Sequence, residues 1–106
     1  MEKQYKTFHE FYPYYLAEHT NPVCRTLHFI GSWLVLSTLA TAIVTGNPWW
    51  LAGVPVVGYS FAWVGHFFFE KNRPATFTYP VFSFIGDWVM FFHLLIGKIP
   101  FRSSAR

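Results

Sequence analysis

Between Thr26 and Phe69 this 106-residue chain contains no aspartate, glutamate, lysine or arginine. A soluble domain of this length has too little interior to hide so long an uncharged stretch, so a water-exposed globular fold is excluded. Cysteine is nearly absent: Cys24 alone rules out an internal disulfide and a thiolate cluster for zinc or iron and sulfur. Charged residues make up 12% of the chain and the formal net charge is +3, with no basic stripe of the kind a nucleic acid requires, which excludes that partner. The opening MEKQYKTFHEFY mixes both signs of charge and lacks a long apolar core, so no cleaved signal peptide is expected. There is no internal repeat and no low-complexity segment.

What is present is apolar surface. Hydrophobic residues are 53% of the chain and aromatics 23%, the composition of a single integral membrane domain over residues 1–106. A spanning helix needs about 20 apolar residues, so the uncharged stretch holds two, and GNP at 46–48 divides them because Pro48 cannot continue a helix. The expected fold is all-α. A short amphipathic helix in residues 1–21 lies in the membrane interface, started by a capping box of Thr7 and Glu10 and interrupted by Pro13. A hairpin of two spans follows, 22–45 and 49–72, the first capped by Asn21 with Pro22 at its first position. Gly53, Pro55 and Gly58 are expected to bend the second span, and Trp49 and Trp50 to sit at the far interface.

A third apolar helix, 81–97, is either re-entrant or spanning. Lys3, Lys6 and Arg25 precede the first span, Lys71 and Arg73 follow the second, and Lys98, Arg102 and Arg106 follow the third helix. The positive-inside tendency favours a third helix that dips or packs obliquely, leaving all of these on the cytoplasmic side of a multi-pass, bacterial-type inner-membrane protein.

The polar residues inside this apolar frame are the candidates for chemistry. In an antiparallel hairpin turning at Asn47, His28 and His66 share a level, each about 18 residues and so roughly 27 Å from the turn. Glu70 follows His66 by one turn on the same face, and His19 ends the first helix where the chain folds back beside His28. Neutral imidazoles with a carboxylate suit Fe(II) or Zn(II), which makes His19, His28, His66 and Glu70 candidate metal ligands. A divalent cation would also explain an ionised Glu70 beside lipid. Blander roles exist for each: an interfacial hydrogen bond for a lone histidine such as His9 or His93, a surface pair with Lys71 or Arg73 for Glu70, and lipid phosphate for Arg25 and Arg73. Asp87, an acid in an apolar helix, is either a helix-end hydrogen-bonding group or a functional one.

The segments FYPYYLAEHTNPVCRTLHFIG, GYSFAWVGHFFFEKNRPATF and SFIGDWVMF resemble a family of small membrane proteins that includes the yeast iron(II)-dependent 2-hydroxy fatty acid dioxygenase. The resemblance covers about residues 8–92 and rests most on H-x-N-P with the later histidine and on G-H-x-x-x-E-x-x-R-P. It implies an oxidoreductase of fatty acid α-oxidation. A long-chain 2-hydroxy fatty acid and O2 would give a fatty acid one carbon shorter and CO2, with Fe(II) as cofactor. His19, His28, His66 and Glu70 fall on the family's polar positions, with Asn21, Arg25 and Arg73 beside them. The Asp87 segment looks like a bacterial-type branch and departs from the yeast pattern. On this reading Arg25, Arg73 and Asp87 are catalytic candidates. Arg25 or Arg73 would hold the substrate carboxylate, Tyr59 and Asn21 would complete the substrate site, and the acyl tail would lie between the spans among membrane lipid. Oligomerisation is left open.

Other classes remain at this point. A haem clamped by two histidines, a zinc-dependent lipid hydrolase and a metal-free structural subunit all use residues of these types. A membrane di-iron hydroxylase draws on about eight clustered histidines, and this chain has five, unclustered in sequence.

Overall fold

A computed structural model of the chain describes residues 5–101. Lys3, Arg102 and Arg106, which entered the orientation argument, lie outside the described residues. Within them the fold is all-α, without strands: α1 (Phe8–Ala17), α2 (Pro22–Thr45), α3 (Gly53–Val64) and α4 (Pro80–Leu95).

Local chemistry accounts for the boundaries. Thr7 caps α1 by accepting from the Glu10 amide at 3.2 Å, and the Glu10 carboxylate accepts from the Lys6 amide at 3.1 Å. Pro13 sits inside α1 rather than in its first turn, and the helix runs through it. Asn21 caps α2, its side-chain oxygen accepting from the amides of Val23 and Cys24, with Pro22 first in the helix. Gly46 ends α2 in the left-handed region at φ 68°, where a side chain would be strained.

The returning arm runs from Pro48 to Glu70 and changes pitch twice. A 3-10 turn, Pro48–Ala52, leads into α3, and a π-helical turn, Gly65–Glu70, follows it. That turn is the segment GHFFFE. Lys71, at φ 60°, closes it. At Gly65 the two arms nearly touch, since a Cβ there would stand 2.9 Å from Cys24 Sγ and 3.2 Å from Cys24 Cα.

The fourth helix packs against α1 and α2. At about 24 Å for 16 residues it is shorter than the roughly 30 Å hydrocarbon core. Tyr79 at its start meets Phe11 of α1 at 5.1 Å, and Phe91 meets Phe29 and Trp33, in the third and fourth turns of α2, at 5.2 and 5.4 Å. Beyond its end, the Pro100 carbonyl accepts from Arg25. Phe11, Tyr15, Ala75, Tyr79, Met90 and Leu94 form the core under α4.

The hairpin itself is uncovered. The apolar windows of α2 and of the Pro48–Glu70 arm are only 22% and 11% buried, whereas a core helix of a soluble protein is mostly buried. Both are long and apolar enough to cross a membrane, and Ile43, Val44 and Trp49 stand more than four-fifths exposed near the turn.

Candidate metal centre

Three elements converge on one point about 9 Å inside the open end of the hairpin. The connection after α1 supplies His19, the second turn of α2 supplies His28, and the π turn supplies His66. Their rings stand nearly perpendicular, with centroids 4.7 Å apart for His19 and His28, 4.3 Å for His19 and His66, and 5.1 Å for His28 and His66. One ring nitrogen from each lies within 4.8 Å of the others, and the residues are 1%, 7% and 2% exposed in that order.

Each imidazole is held the same way. His19 Nδ1 donates to the Tyr15 carbonyl at 2.6 Å, His28 Nδ1 to the Cys24 carbonyl at 2.8 Å, and His66 Nδ1 to the Asn72 side-chain oxygen at 2.7 Å. A carbonyl oxygen can only accept, so each Nδ1 carries the hydrogen and each Nε2 carries a free lone pair. Asn72 is itself oriented, because its amide nitrogen donates to the Glu18 carbonyl at 3.0 Å and carboxylate at 3.3 Å. These are the supports a metal-binding histidine commonly has. Burial, reinforced by His28 and His66 beside it, keeps the pKa of His19 well below its ordinary range, so its ring is neutral. Its Nε2 is buried with no hydrogen-bond partner among the described residues. A buried polar atom without a partner is costly, and a cation among three such nitrogens would satisfy it. The donor set therefore fits a divalent metal.

Two cavities meet at the cluster. The smaller, about 20 Å³, is lined by all three histidines with Tyr15, Ser83 and Asp87 among others. It has room for an ion or a water and none for a porphyrin between His28 and His66. The larger, about 220 Å³, runs from His28 and Asp87 past Gly31, Gly58 and Val35 to Val54 in an apolar channel between α2, α3 and α4. Tyr59 and Thr76 line both.

The remaining candidates have other surroundings. Glu70 stands outside the histidine group. Its carboxylate accepts from the Asn21 backbone amide at 2.6 Å and the Thr20 hydroxyl at 3.4 Å, which ties the end of the second arm to the turn that carries His19. Asn21 is occupied as a cap and lines neither cavity. Buried Arg25 donates to the backbone carbonyls of His19 and Pro100, bracing the His19 turn against the segment after α4. Arg73 is exposed, with its guanidinium 5.3 Å from the centre of the Phe77 ring. Asp87 accepts from the Tyr15 hydroxyl, and the Tyr15 ring stacks on His19 at 3.9 Å.

Asn72, Tyr15 and Ser83 escape a reading of sequence spacing alone. The signal for Asn72 was present: a metal-binding His66 needs an acceptor for its other nitrogen, and KNRP places an amide side chain just past the helix end. Tyr15 and Ser83 come from other helices and carry no local signal.

A family model described as 2-hydroxy-palmitic acid dioxygenase Mpo1-like matches residues 5–99. No curated protein and no solved structure gives a match.

Proposed function

The chain belongs to the Mpo1-like family, and on that premise we propose that it is an iron(II)-dependent dioxygenase of long-chain 2-hydroxy fatty acids. In the reaction, the acid and O2 become a fatty acid one carbon shorter, CO2 and water, so that both oxygen atoms of O2 are accounted for. The observation that carries this reading is the convergence of His19, His28 and His66, each with its Nδ1 committed to an oxygen acceptor, at the mouth of an apolar cavity.

Iron(II) held by the three imidazoles would supply redox capacity and open positions where the two oxygens of a 2-hydroxy acid and O2 come together. The chain's own residues do the rest. The carbonyls of Tyr15 and Cys24 and the amide of Asn72 keep the imidazoles aimed inward, so little is lost to reorganisation on binding. Arg25 and Glu70 act as positioning residues for the turn between α1 and α2, through the His19 carbonyl and the Asn21 amide. The apolar channel takes the acyl chain and excludes water from the reacting head. Three histidines with open positions serve zinc equally well, and the family match favours oxygen chemistry over hydrolysis.

The two long helices cross the membrane in this reading, with the open end of the hairpin at the cytoplasmic face. Lys71 and Arg73, both exposed, directly follow the second arm, and Lys6 and Lys98, also exposed, flank α1 and α4, a distribution that supports this orientation. A bacterial-type inner membrane would then present the substrate's head at the depth of the histidines and its tail in the bilayer.

The test is anaerobic purification with metal analysis, followed by O2 uptake and CO2 release on 2-hydroxypalmitate with and without added Fe(II). One iron per chain and iron-dependent turnover are expected. Iron-loaded protein that leaves 2-hydroxypalmitate intact would overturn the assignment.

A further inference from the structure

Across the small cavity from the histidines, α4 presents two polar side chains one turn apart, Ser83 and Asp87. Ser83 is 4% exposed, yet its hydroxyl has no hydrogen-bond partner among the described residues. A helical serine ordinarily returns its hydroxyl to the carbonyl one turn back. Here the hydroxyl is left unpaired in the wall of the histidine cavity, and a protein that hides a polar group without a partner loses stability by it. Asp87 lines both cavities. One of its oxygens accepts from the Tyr15 hydroxyl, which locks the carboxylate in place.

Position decides what such a pair can read. With a metal ion filling the small cavity and the acyl chain in the larger channel, a 2-hydroxy acid has its head at the junction of the two cavities. Asp87 stands at that junction. Resting on the dioxygenase reading above, we propose that Ser83 and Asp87 recognise the head of the substrate. The second oxygen of Asp87 accepts from the 2-hydroxyl, and the Ser83 hydroxyl donates to the substrate carboxylate. An unsubstituted fatty acid leaves the Asp87 oxygen without a donor, and a 2-oxo acid sets a second acceptor against it. A site built around a substrate hydroxyl rejects analogues that lack one for this reason.

The experiment uses the full-length protein loaded with Fe(II) and the variants Ser83→Ala and Asp87→Asn, assayed at about pH 8.5 so that Asp87, which burial pushes up to about 7, is ionised and can only accept. Iron content and thermal stability are measured with KM for 2-hydroxypalmitate and with competition by palmitate and 2-oxopalmitate. Ser83→Ala removes a hydroxyl that bonds nothing among the described residues, so it is expected to melt no lower than wild type. Its KM should nevertheless rise about tenfold, the scale of one buried hydrogen bond. Asp87→Asn should retain iron while its preference for the 2-hydroxy acid over the 2-oxo acid narrows by about tenfold or more, since an amide can donate where the carboxylate could not. Wild-type KM and wild-type discrimination in both variants would overturn the proposal, as would a Ser83→Ala protein that melts lower with its KM unchanged. If Asp87→Asn fails to fold, the KM of Ser83→Ala decides alone. A wild-type protein that binds iron and turns over no 2-hydroxypalmitate sinks the dioxygenase reading itself, and the recognition role with it. An active wild type with unaltered variants sinks only the recognition role.

Discussion

His66 and Asn72 are joined at 2.7 Å, ring nitrogen to side-chain oxygen, across the left-handed turn at Lys71. The same turn brings the Asn72 amide hydrogen to the His66 backbone carbonyl at 3.0 Å, so Asn72 holds His66 by main chain and side chain together. Through its amide nitrogen Asn72 also reaches Glu18, just before His19. A single side chain thus couples two of the three imidazoles, one on each side of the cavity. His66 is the second residue of the π turn, and Asn72 lies two residues beyond its end. Single π turns are known to gather at functional sites.

Removing this side chain tests the coupling. Asn72→Ala should fold but bind Fe(II) about 10- to 100-fold more weakly, the usual loss when a supporting hydrogen bond to a metal-binding histidine is cut. Competition against a chromophoric chelator measures it. Affinity equal to wild type would mean that His66 is held by packing alone.

The three histidines should separate cleanly from the other two. Alanine at His19, His28 or His66 is expected to take bound iron from one per chain to near none. His9→Ala and His93→Ala should leave it unchanged, because His9 is exposed and His93 is engaged with the Tyr12 hydroxyl at 2.9 Å. Metal analysis of the five purified variants is sufficient. Loss of iron from either control would place a further ligand outside the cluster.

Much of the fold was legible because the bilayer imposes simple rules on composition. An uncharged stretch with GNP in its middle can only be two helices and a turn, and equal distance from Asn47 brings His28 opposite His66. His19 could be placed because Asn21 and Pro22 fix where α2 begins. The π turn in the second arm was hidden, since GHFFFE has no residue that forbids an α-helix. Glu70 shows the limit most clearly. Sequence spacing puts it one turn from His66, whereas its nearest partner is a backbone amide on another element, and no periodicity within one helix reveals such a contact.

Glu70 can be examined by a change that keeps its shape. Glu70→Gln retains an oxygen for the Asn21 amide and removes the charge. If Glu70 anchors the turn, the variant should keep its iron and lose about 1–2 kcal/mol of stability, the difference between a charge-assisted and a neutral hydrogen bond. Denaturation in detergent together with metal analysis measures both. Loss of iron with stability intact would instead make Glu70 a ligand.

Gly65 tests the close approach of the two arms. A methyl group there would meet Cys24 Sγ at 2.9 Å and its Cα at 3.2 Å, and the backbone atom cannot swing aside. Gly65→Ala should push the π turn away from α2, at a cost of about 1–3 kcal/mol typical of overpacking. His66 is the next residue and moves with it, so weaker iron binding is expected as well. Gly46→Ala, whose added methyl meets nothing within 4 Å but is strained at φ 68°, is the control: it should lose stability and keep its iron affinity. If both variants lose iron equally, the effect is one of general stability rather than of the approach at Gly65.

Acidity probes the neutral state of His19. Burial lowers its folded-state pKa well below the ordinary value of about 6.5, with His28 and His66 adding to the effect. Between those two values the unfolded chain takes up a proton that the folded chain refuses. Stability contributed by the neutral ring is therefore fully present above about pH 6.5 and is lost as pH falls toward the folded-state value. One proton gives a slope of at most about 1.4 kcal/mol per pH unit. Iron-free protein in detergent, denatured at a series of pH values from 8 to 5, should weaken below about 6.5, and His19→Gln should show a shallower decline by up to that amount. A metal held by Nε2 would require the same neutral ring, so protein loaded with Fe(II) should resist the fall until acid drives the metal off. Equal slopes for the wild type and His19→Gln would mean that the protonated ring is accommodated in the folded state, and a ligand role for His19 would lose its electrostatic basis.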